Sequence, residues 1–302
     1  MNALKWLDLS HNKLFGEIPV HLAIGCRLLT FLRLSNNKLK GPVLPRQHNL
    51  TQLEALYADN NNFTEILSNL SRSSLTALDV SGNQLVGRIP RFIGYTQLIV
   101  LDMAGNQLEG PIPIEFCQLR LYWLDLSRNN VTGAVPSCFS SMTRMINIML
   151  SKNKLDGPFP IAFQNYDSWL RVLDLSYNQF RGYIPSWIVS FSDLRVLRLQ
   201  HNHFKGNIPK ELCQLPRLSL IDLSFNSLLG NIPRFSKLEF KGITNKEEDA
   251  ESAAQSAATV APAVATSQPR VRTRVCHVIV QSAATSSVGH SVCHVSATSA
   301  GR

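Results

Sequence analysis

The chain has 302 residues, of which 30 are Lys or Arg and 21 are Asp or Glu, so its formal net charge is +9. The basic residues form no run with interleaved aromatic residues, so we do not expect a nucleic-acid-binding surface. A run of about 18 apolar residues, which a membrane-spanning helix needs, does not occur, and we expect no membrane span in this chain. The excess positive charge would suit acidic partners such as pectin-like polymers or acidic peptides, or serve solubility alone.

Asparagines recur at steps of about 24 residues between Asn12 and Asn226. Each lies in the frame apolar-x-x-apolar-x-apolar-x-x-Asn-x-apolar, which predicts one short strand per repeat with alternate side chains pointing into a core. An Asn amide donates and accepts at once, so it can satisfy backbone groups where the chain leaves the strand. We therefore assign a structural role to the asparagine ladder, which consists of Asn12, Asn37, Asn61, Asn83, Asn106, Asn129, Asn153, Asn178, Asn202 and Asn226.

A second regular feature follows the ladder: nine of the ten repeats place Gly four residues after the Asn, and six continue with Ile-Pro. Gly permits a turn that a Cβ would hinder and Pro suits an edge strand or a turn, so we predict a second extended piece in each coil. Short helical or 3₁₀ turns, such as Ile114 to Leu119 and Lys210 to Leu215, are expected to return the chain. The third repeat has Ala58 in a Leu position and Glu65 in place of the Gly, which predicts a local kink or a loosened coil.

The string L-x-x-L-x-L-S-x-N-x-L-x-G-x-I-P, at Leu4 to Pro19 and Leu170 to Pro185, resembles the plant-type leucine-rich repeats of cell-surface receptor kinases and receptor-like proteins. Residues 201–233 are similar to the last repeats before the non-repeat island of disease-resistance-type receptor-like proteins. The resemblance implies an α/β leucine-rich-repeat solenoid of about ten repeats, with short parallel strands on its concave face. It also implies a fragment of a receptor-like ectodomain, a plasma-membrane or extracellular location, and a co-receptor kinase as a partner.

The repeat pattern sets the expected domain boundaries. Residues 1–240 are predicted to form the solenoid, and residues 241–302, rich in Ala, Ser, Thr and Val, are predicted to be a disordered tail. At the other end, Met1 to Ala3 lead directly into the first repeat without the positive flank and apolar stretch of a signal peptide. We therefore expect the chain to begin inside the array and, as written, not to enter the secretory route.

The cysteines give weak signals. Cys117 and Cys213 share the context F/L-C-Q-L at matching repeat positions, and we interpret both as buried free thiols filling core space. In the tail, Cys276-His277 and Cys293-His294 repeat a V-C-H-V string, but two such pairs are little reason to expect a zinc site. We predict no metal and no cofactor.

The residues that flank the strand leucines carry the candidate binding surface, because they face outward. One column is mostly Asp, and we interpret it as a solvated row that satisfies backbone and Ser groups rather than as a catalytic one; its members are Asp8, Asp79, Asp102, Asp125, Asp174 and Asp222. Four other residues break this column: Arg33, Tyr57, Met149 and Arg198. Aromatic and Arg side chains are the usual anchors of interfaces, so we predict a ligand-binding patch, with chance variation as the alternative, at Tyr177, Arg198, His201, His203 and Phe225. Trp6, Phe31 and Trp123 form a second, scattered set.

Four N-x-S/T sequons, at Asn49, Asn62, Asn69 and Asn130, are candidate glycosylation sites, although chance alone would give about as many. Asn62 and Asn130 directly follow ladder asparagines. Glycans at these two positions are expected to crowd the neighbouring edge of the concave surface.

No nucleophile with a base, metal cluster or phosphate-binding loop stands out, so the chain is predicted to be a non-enzymatic binding protein. We expect a fragment of a cell-surface receptor-like protein for defence or development signalling, with a peptide, a protein or a wall-derived glycan as ligand. Two alternatives remain: a soluble inhibitor or scaffold of the polygalacturonase-inhibitor type, and a truncated product without function.

Overall fold

The computed structural model describes residues 3–65, 74–92, 96–164, 169–234 and 277–279. Each described coil contributes one strand to an 11-stranded parallel sheet, here called the first sheet, in which neighbours in sequence are neighbours in space. Its strands are Trp6–Asp8, Phe31–Arg33, Ala55–Tyr57, Ala77–Asp79, Val100–Asp102, Trp123–Asp125, Asn147–Met149, Val172–Asp174, Val196–Arg198, Leu220–Asp222 and His277–Ile279. This arrangement confirms the predicted leucine-rich-repeat solenoid.

Each of the ten coils then forms a second strand, which begins shortly after the ladder asparagine. Seven of these strands form the second sheet: Val86–Arg88, Gln107–Gly110, Asn130–Gly133, Lys154–Pro158, Gln179–Tyr183, His203–Asn207 and Ser227–Leu229. Three others form a separate sheet of their own: Phe15–Gly16, Lys38–Pro42 and Asn62–Glu65. The division between the two falls at the third repeat, where the sequence predicts a kink, whereas the first sheet continues through it with Leu56 beside Leu78.

Short helices return the chain and begin after a proline, which lacks an N–H and fits the residue that precedes the first turn. The one α-helix is Val20–Gly25 among the described residues, and the 3₁₀ helices are Ile114–Gln118, Ser137–Ser141, Ile161–Phe163, Ser186–Ser190 and Lys210–Gln214. Two of them match the turns predicted at Ile114 and Lys210.

The core lies between the sheets and the returning helices. The central residue of each strand from Phe31–Arg33 to Leu220–Asp222 in the first sheet points inward, and Leu32, Leu56 and Leu197 are fully buried there. Behind them, the largest fully buried side chains are Phe63, Phe116, Phe139, Phe163, Phe180, Phe191 and Phe204. Because the inward positions are used for packing, the outward positions are the ones available to a ligand.

The turn between the two strands has the same backbone conformation in every coil. The residue before each ladder asparagine is left-handed, with φ between 52° and 63° at all ten positions: His11, Asn36, Asn60, Gly82, Gly105, Arg128, Lys152, Tyr177, His201 and Phe225. This conformation costs roughly 1–2 kcal/mol for a residue with a Cβ, so the surrounding hydrogen bonds must stabilise it.

The ladder asparagine supplies those hydrogen bonds. Asn178 is buried; its Nδ2 lies 2.9 Å from the Leu150 carbonyl oxygen and 3.2 Å from that of Leu175, and its Oδ1 accepts from the Leu155 N–H at 3.0 Å. The amide thus joins its own turn to the two strands of the preceding coil. Equivalent bonds recur along the ladder; for example, the Phe180 N–H donates to Asn202 Oδ1 at 3.0 Å.

The prediction that Cys117 is a free thiol is wrong. Cys117 forms a disulfide with Cys138, 21 residues later, with their Cα atoms 5.8 Å apart. The fourth residue of helix Ile114–Gln118 lies against the second residue of helix Ser137–Ser141 in the stacked coils, an offset that comparison of equivalent repeat positions does not reveal. Cys213, at the matching position to Cys117, is free and only partly buried.

The tail contributes a single described strand. His277–Ile279 pairs in parallel with Leu220–Asp222, so that Val278 lies beside Ile221 at the last edge of the first sheet. The prediction of a disordered tail did not anticipate this strand. The rest of the tail, including Cys276, Cys293 and His294, lies outside the described residues.

Candidate ligand-binding surface

The outward positions of the first sheet form columns that run across successive strands. In the Asp column, parallel pairing places Asp79 beside Asp102 and Asp102 beside Asp125. A Ser two residues later often donates to the carboxylate, as Ser176 Oγ does to Asp174 Oδ1 at 2.6 Å. The column therefore satisfies local Ser and backbone groups, as the sequence predicts.

The prediction that this column is solvated fails in its middle. Asp125 is buried. Burial raises the pKa of Asp79 and of Asp125 to about 6, and the negative charges of other carboxylates add to both shifts. The pKa of Asp102 is raised well above its ordinary value, first by burial and then by the charges of Asp125 and Asp79. Three successive strands thus carry carboxyl groups that bind protons readily, chiefly because they are shielded from water and also because acidic residues lie near one another.

At the exposed start of the column the opposite holds. Hydrogen bonds from the Ser10 side chain and N–H lower the pKa of Asp8. The direction of the shift therefore differs along the column: hydrogen bonds dominate at the exposed Asp8, whereas burial dominates at Asp79, Asp102 and Asp125.

The first three repeats bring aromatic residues together on the first sheet. The rings of Trp6 and Phe31 are stacked with centroids 3.5 Å apart, and the Tyr57 ring lies 5.6 Å from that of Phe31. The Arg33 guanidinium lies over Tyr57, 5.5 Å from the ring centroid. Trp6 and Phe31, which were expected to be scattered, therefore share one cluster, whereas Trp123 lies in the sixth strand of the same sheet.

The last repeats build a longer column, here called the C-terminal stack, from Tyr177, His201 and Phe225. The His201 ring lies 4.1 Å from Tyr177 and 4.0 Å from Phe225, with interplanar angles of 17° and 14°. Tyr177 and Phe225 are 42% and 44% exposed, so the rings are open at their edges. Lys152 Nζ lies 5.5 Å from the Tyr177 centroid and extends the column by one repeat.

The stack forms because all its members occupy the left-handed position before a ladder asparagine. Identical backbone geometry in successive coils aims the side chains in parallel, at a strand spacing of about 4.8 Å that suits ring stacking. The recurrence of Asn and Gly at this position in earlier repeats, at Asn36, Asn60, Gly82 and Gly105, is the signal that could have revealed the left-handed turn from sequence.

The two other residues of the predicted patch lie beside the stack rather than in it. Arg198 occupies the Asp column of the first sheet, and its Nη1 lies 3.8 Å from Asp174 Oδ2. His203 begins strand His203–Asn207 of the second sheet, where it is exposed and pairs with Arg181. Three of the five predicted residues are therefore in direct contact, and the other two border them on separate sheets.

The sequons differ in exposure. Asn62 and Asn130 are exposed and begin second strands of their coils, whereas Asn49 is partly buried and its backbone N–H donates to the Ala23 carbonyl at 2.8 Å. Asn69 lies outside the described residues.

Within the described part of the chain, no group of three or more His, Cys, Asp or Glu side chains has an arrangement that could hold a metal ion. No helix in that same part is long and apolar enough to cross a membrane.

The residues that match known protein families are the repeats seen in the structure. Models of the leucine-rich repeat match residues 3–23, 74–95, 97–119, 119–180 and 168–228, together more than half of the chain. The chain belongs to the leucine-rich-repeat family.

The relatives of this leucine-rich-repeat protein are plant receptor-like proteins. It is 48% identical over 86 residues to Cuscuta receptor 1 of Solanum lycopersicum, a match that covers 28% of this chain and 8% of that protein. It is 44% identical over 72 residues to Receptor-like protein 9a of Arabidopsis thaliana, covering 24% of this chain and again 8% of the relative. The chain thus matches only a small part of the length of each relative.

A solved structure of the plant peptide hormone receptor RGFR1 in complex with RGF2 superposes with a TM-score of 0.73 at 32% identity. The superposition covers 76% of this chain and 37% of that receptor. The leucine-rich-repeat protein therefore has the architecture of a plant receptor ectodomain over most of its length.

Proposed function

We propose that this leucine-rich-repeat protein is a non-enzymatic binding module that holds a peptide or protein ligand on the outward side of the first sheet. The observation that carries the proposal is the C-terminal stack. Tyr177 and Phe225 keep more than a third of their surface exposed, at 42% and 44%, although their backbone is fixed in a left-handed turn. Rigid, partly exposed rings lose little entropy on binding and are the usual anchors of interfaces.

The surroundings of the stack favour an extended ligand. The three rings span three successive strands, roughly 10 Å at the usual spacing of parallel strands. Arg198, on the first sheet beside the stack, offers a partly exposed positive group to the polar atoms of a peptide backbone or side chain, and the buried Asp174 carboxylate lies 3.8 Å from it. Similarity to a receptor solved with a bound peptide hormone supports the same class of ligand.

The Cys117–Cys138 disulfide is evidence about the cellular compartment of the protein. Disulfides persist in oxidising surroundings and are rare in the cytosol, so the Cys117–Cys138 bond supports an extracellular or secretory location. Together with the receptor-like relatives, it supports a role in a cell-surface receptor. We propose that this receptor serves defence or development signalling and has a co-receptor kinase as a second partner.

Glycosylation is consistent with that location. Asn62 and Asn130 expose their side chains on strands outside the first sheet, so glycans there would leave most of the C-terminal stack open. We propose these two as the used sequons, in preference to the partly buried Asn49.

The proposal can be tested without a known ligand. A displayed library of random linear peptides is panned against the chain, and the selected peptides are titrated against variants. Tyr177→Ala plus Phe225→Ala should weaken binding by about 30-fold or more, the loss typical of two anchors at an interface. The matched control, Phe15→Ala plus Trp169→Ala, removes two exposed rings elsewhere on the coil and should leave binding unchanged. Equal loss in both pairs would contradict the proposal.

A further inference from the structure

The outward side of the second sheet carries a group of positive side chains that the first-sheet site does not use. Strands Lys154–Pro158, Gln179–Tyr183 and His203–Asn207 contain Lys154, Arg181 and Lys205 but a single acidic residue, Asp156. Within the described part of the chain, none of these three cations is in an ion pair, whereas Arg198, Arg217 and Arg91 each have a carboxylate partner. Three cations against one carboxylate leave these three strands with a net charge of +2.

The sheet holds these groups in fixed places. The residues between them, Phe180 and Phe204, are fully buried and stacked in the core, with ring centroids 6.4 Å apart. Parallel pairing puts Arg181 beside His203 and Tyr183 beside Lys205. Alternate side chains are anchored inward, so the exposed ones stand side by side on a firm surface rather than on mobile loops.

One aromatic ring lies within this set of charges. Tyr183 is 66% exposed, and Lys205 Nζ lies 5.6 Å from its ring centroid. An exposed ring next to cations offers a flat apolar face together with positive charge. We call Lys154, Arg181, Tyr183, His203 and Lys205 the basic face.

From these observations we infer that the basic face binds an acidic polysaccharide of the polyuronate class. A polyuronate is a linear chain with one carboxylate on each sugar, and its charge complements the cations that three successive coils carry. The C–H face of a sugar ring packs on an exposed aromatic ring, which Tyr183 supplies. The middle of the first sheet carries the carboxyl groups of Asp79, Asp102 and Asp125 rather than cations, so it offers this polymer no complementary charge.

The surface favours this partner over nucleic acid. The Cys117–Cys138 disulfide indicates an oxidising compartment, which argues against nucleic acid, and one ring is too few for the stacking platform of a single-strand binder. The inference does not rest on the peptide-binding role proposed for the C-terminal stack, because it concerns a different sheet and a different ligand.

Retardation in a gel containing polygalacturonate tests the inference, with fully methyl-esterified polymer, which lacks the charges, as the comparison probe. The parent chain should be retarded by the acid form alone, and less so as salt is added, because exposed charges are screened. Arg181→Gln plus Lys205→Gln should reduce the affinity about tenfold or more. Arg120→Gln plus Arg144→Gln removes the same charge from exposed positions outside both sheets and should change it by less than about twofold.

Three results would overturn the inference: equal loss in both double variants, equal retardation by the methyl ester, or binding to anionic phospholipid vesicles without binding to polygalacturonate. Thermal unfolding of both variants checks that they fold. If the variant of the basic face unfolds early, Tyr183→Ala, which removes the ring without changing charge, should still weaken retardation, and an unchanged affinity would contradict the role of the face.

Discussion

The His201 ring lies 4.1 Å from the Tyr177 ring and nearly parallel to it, although the two residues are 24 positions apart in the chain. Both have the same left-handed backbone, with φ of 53°. The contact therefore results from the repeat. Because the same turn conformation recurs in successive coils, the exposed side chains at this position lie in a row and form an ordered surface.

This geometry predicts how His201 tolerates substitution. His201→Val places a β-branched side chain at positive φ and should lower the free energy of unfolding by about 1–2 kcal/mol. His201→Gly removes the backbone strain and should cost less than His201→Val, even though it also removes the stack. Chemical denaturation of the two variants measures the difference, and a more stable Val variant would contradict the account of the turn.

The asparagine ladder predicts a second pair of outcomes. Asn178→Ala leaves the Leu155 N–H and the Leu150 carbonyl without their partner and should lower the free energy of unfolding by about 1–3 kcal/mol. Gln179→Ala, at the adjacent exposed position, should change it by less than about 0.5 kcal/mol. Denaturant titration of both variants gives the comparison, and equal effects would refute the structural role of the ladder.

The buried carboxyl groups predict an unusual dependence on pH. Between the ordinary pKa of 3.8 and about 6, the folded chain binds more protons at Asp79 and Asp125 than the unfolded chain does. The contribution of these groups to stability is therefore present at low pH and is lost as pH rises through that window.

Asp102→Asn removes one of the three neighbouring charges. It should raise the free energy of unfolding at pH 7 by about 1 kcal/mol and flatten the decline between about pH 4 and 6, in keeping with roughly 1.4 kcal/mol per pKa unit. Glu109→Gln, exposed on the second sheet, is the control and should leave the profile unchanged. Thermal unfolding across this pH range supplies the profiles; a steeper decline in Asp102→Asn would run against the assignment.

The disulfide predicts a redox-dependent stability. Cys138→Ser opens a loop of 21 residues and should lower the free energy of unfolding by about 3 kcal/mol. Cys213→Ser, at the repeat position that matches Cys117 but without a disulfide partner, should behave like the parent. Unfolding with and without reductant should show a difference in the parent and none in Cys138→Ser. An unchanged parent in reductant would mean that the bond contributes nothing.

The regular part of the fold could be predicted from the sequence because each repeat has the same residue types at equivalent positions. Leu32, Leu56 and Leu197 occupy equivalent positions and all are fully buried, and Asn178 bonds as its amide chemistry requires. Features that depend on the offset between coils could not be predicted in this way. Cys117 and Cys138 meet because they occupy different positions in two stacked helices, and comparison of equivalent positions passes over such a pair.

The candidate site could likewise be predicted only in part. That Tyr177, His201 and Phe225 lie on adjacent coils could be predicted from their spacing. Their parallel stacking depends on a turn conformation that the sequence analysis did not assign. The raised pKa of Asp102 likewise depends on two acidic neighbours and on burial, which column spacing alone does not give.

The most direct test of the binding proposal is to locate a bound peptide on the chain. A peptide selected by panning is synthesised with a photoreactive group, crosslinked to the chain, and the modified residues are identified by mass spectrometry. The account predicts crosslinks on the C-terminal stack and on strands Val172–Asp174, Val196–Arg198 and Leu220–Asp222, which are lost in Tyr177→Ala plus Phe225→Ala. Crosslinks confined to the second sheet or to the returning helices, unaffected by that double substitution, would contradict it.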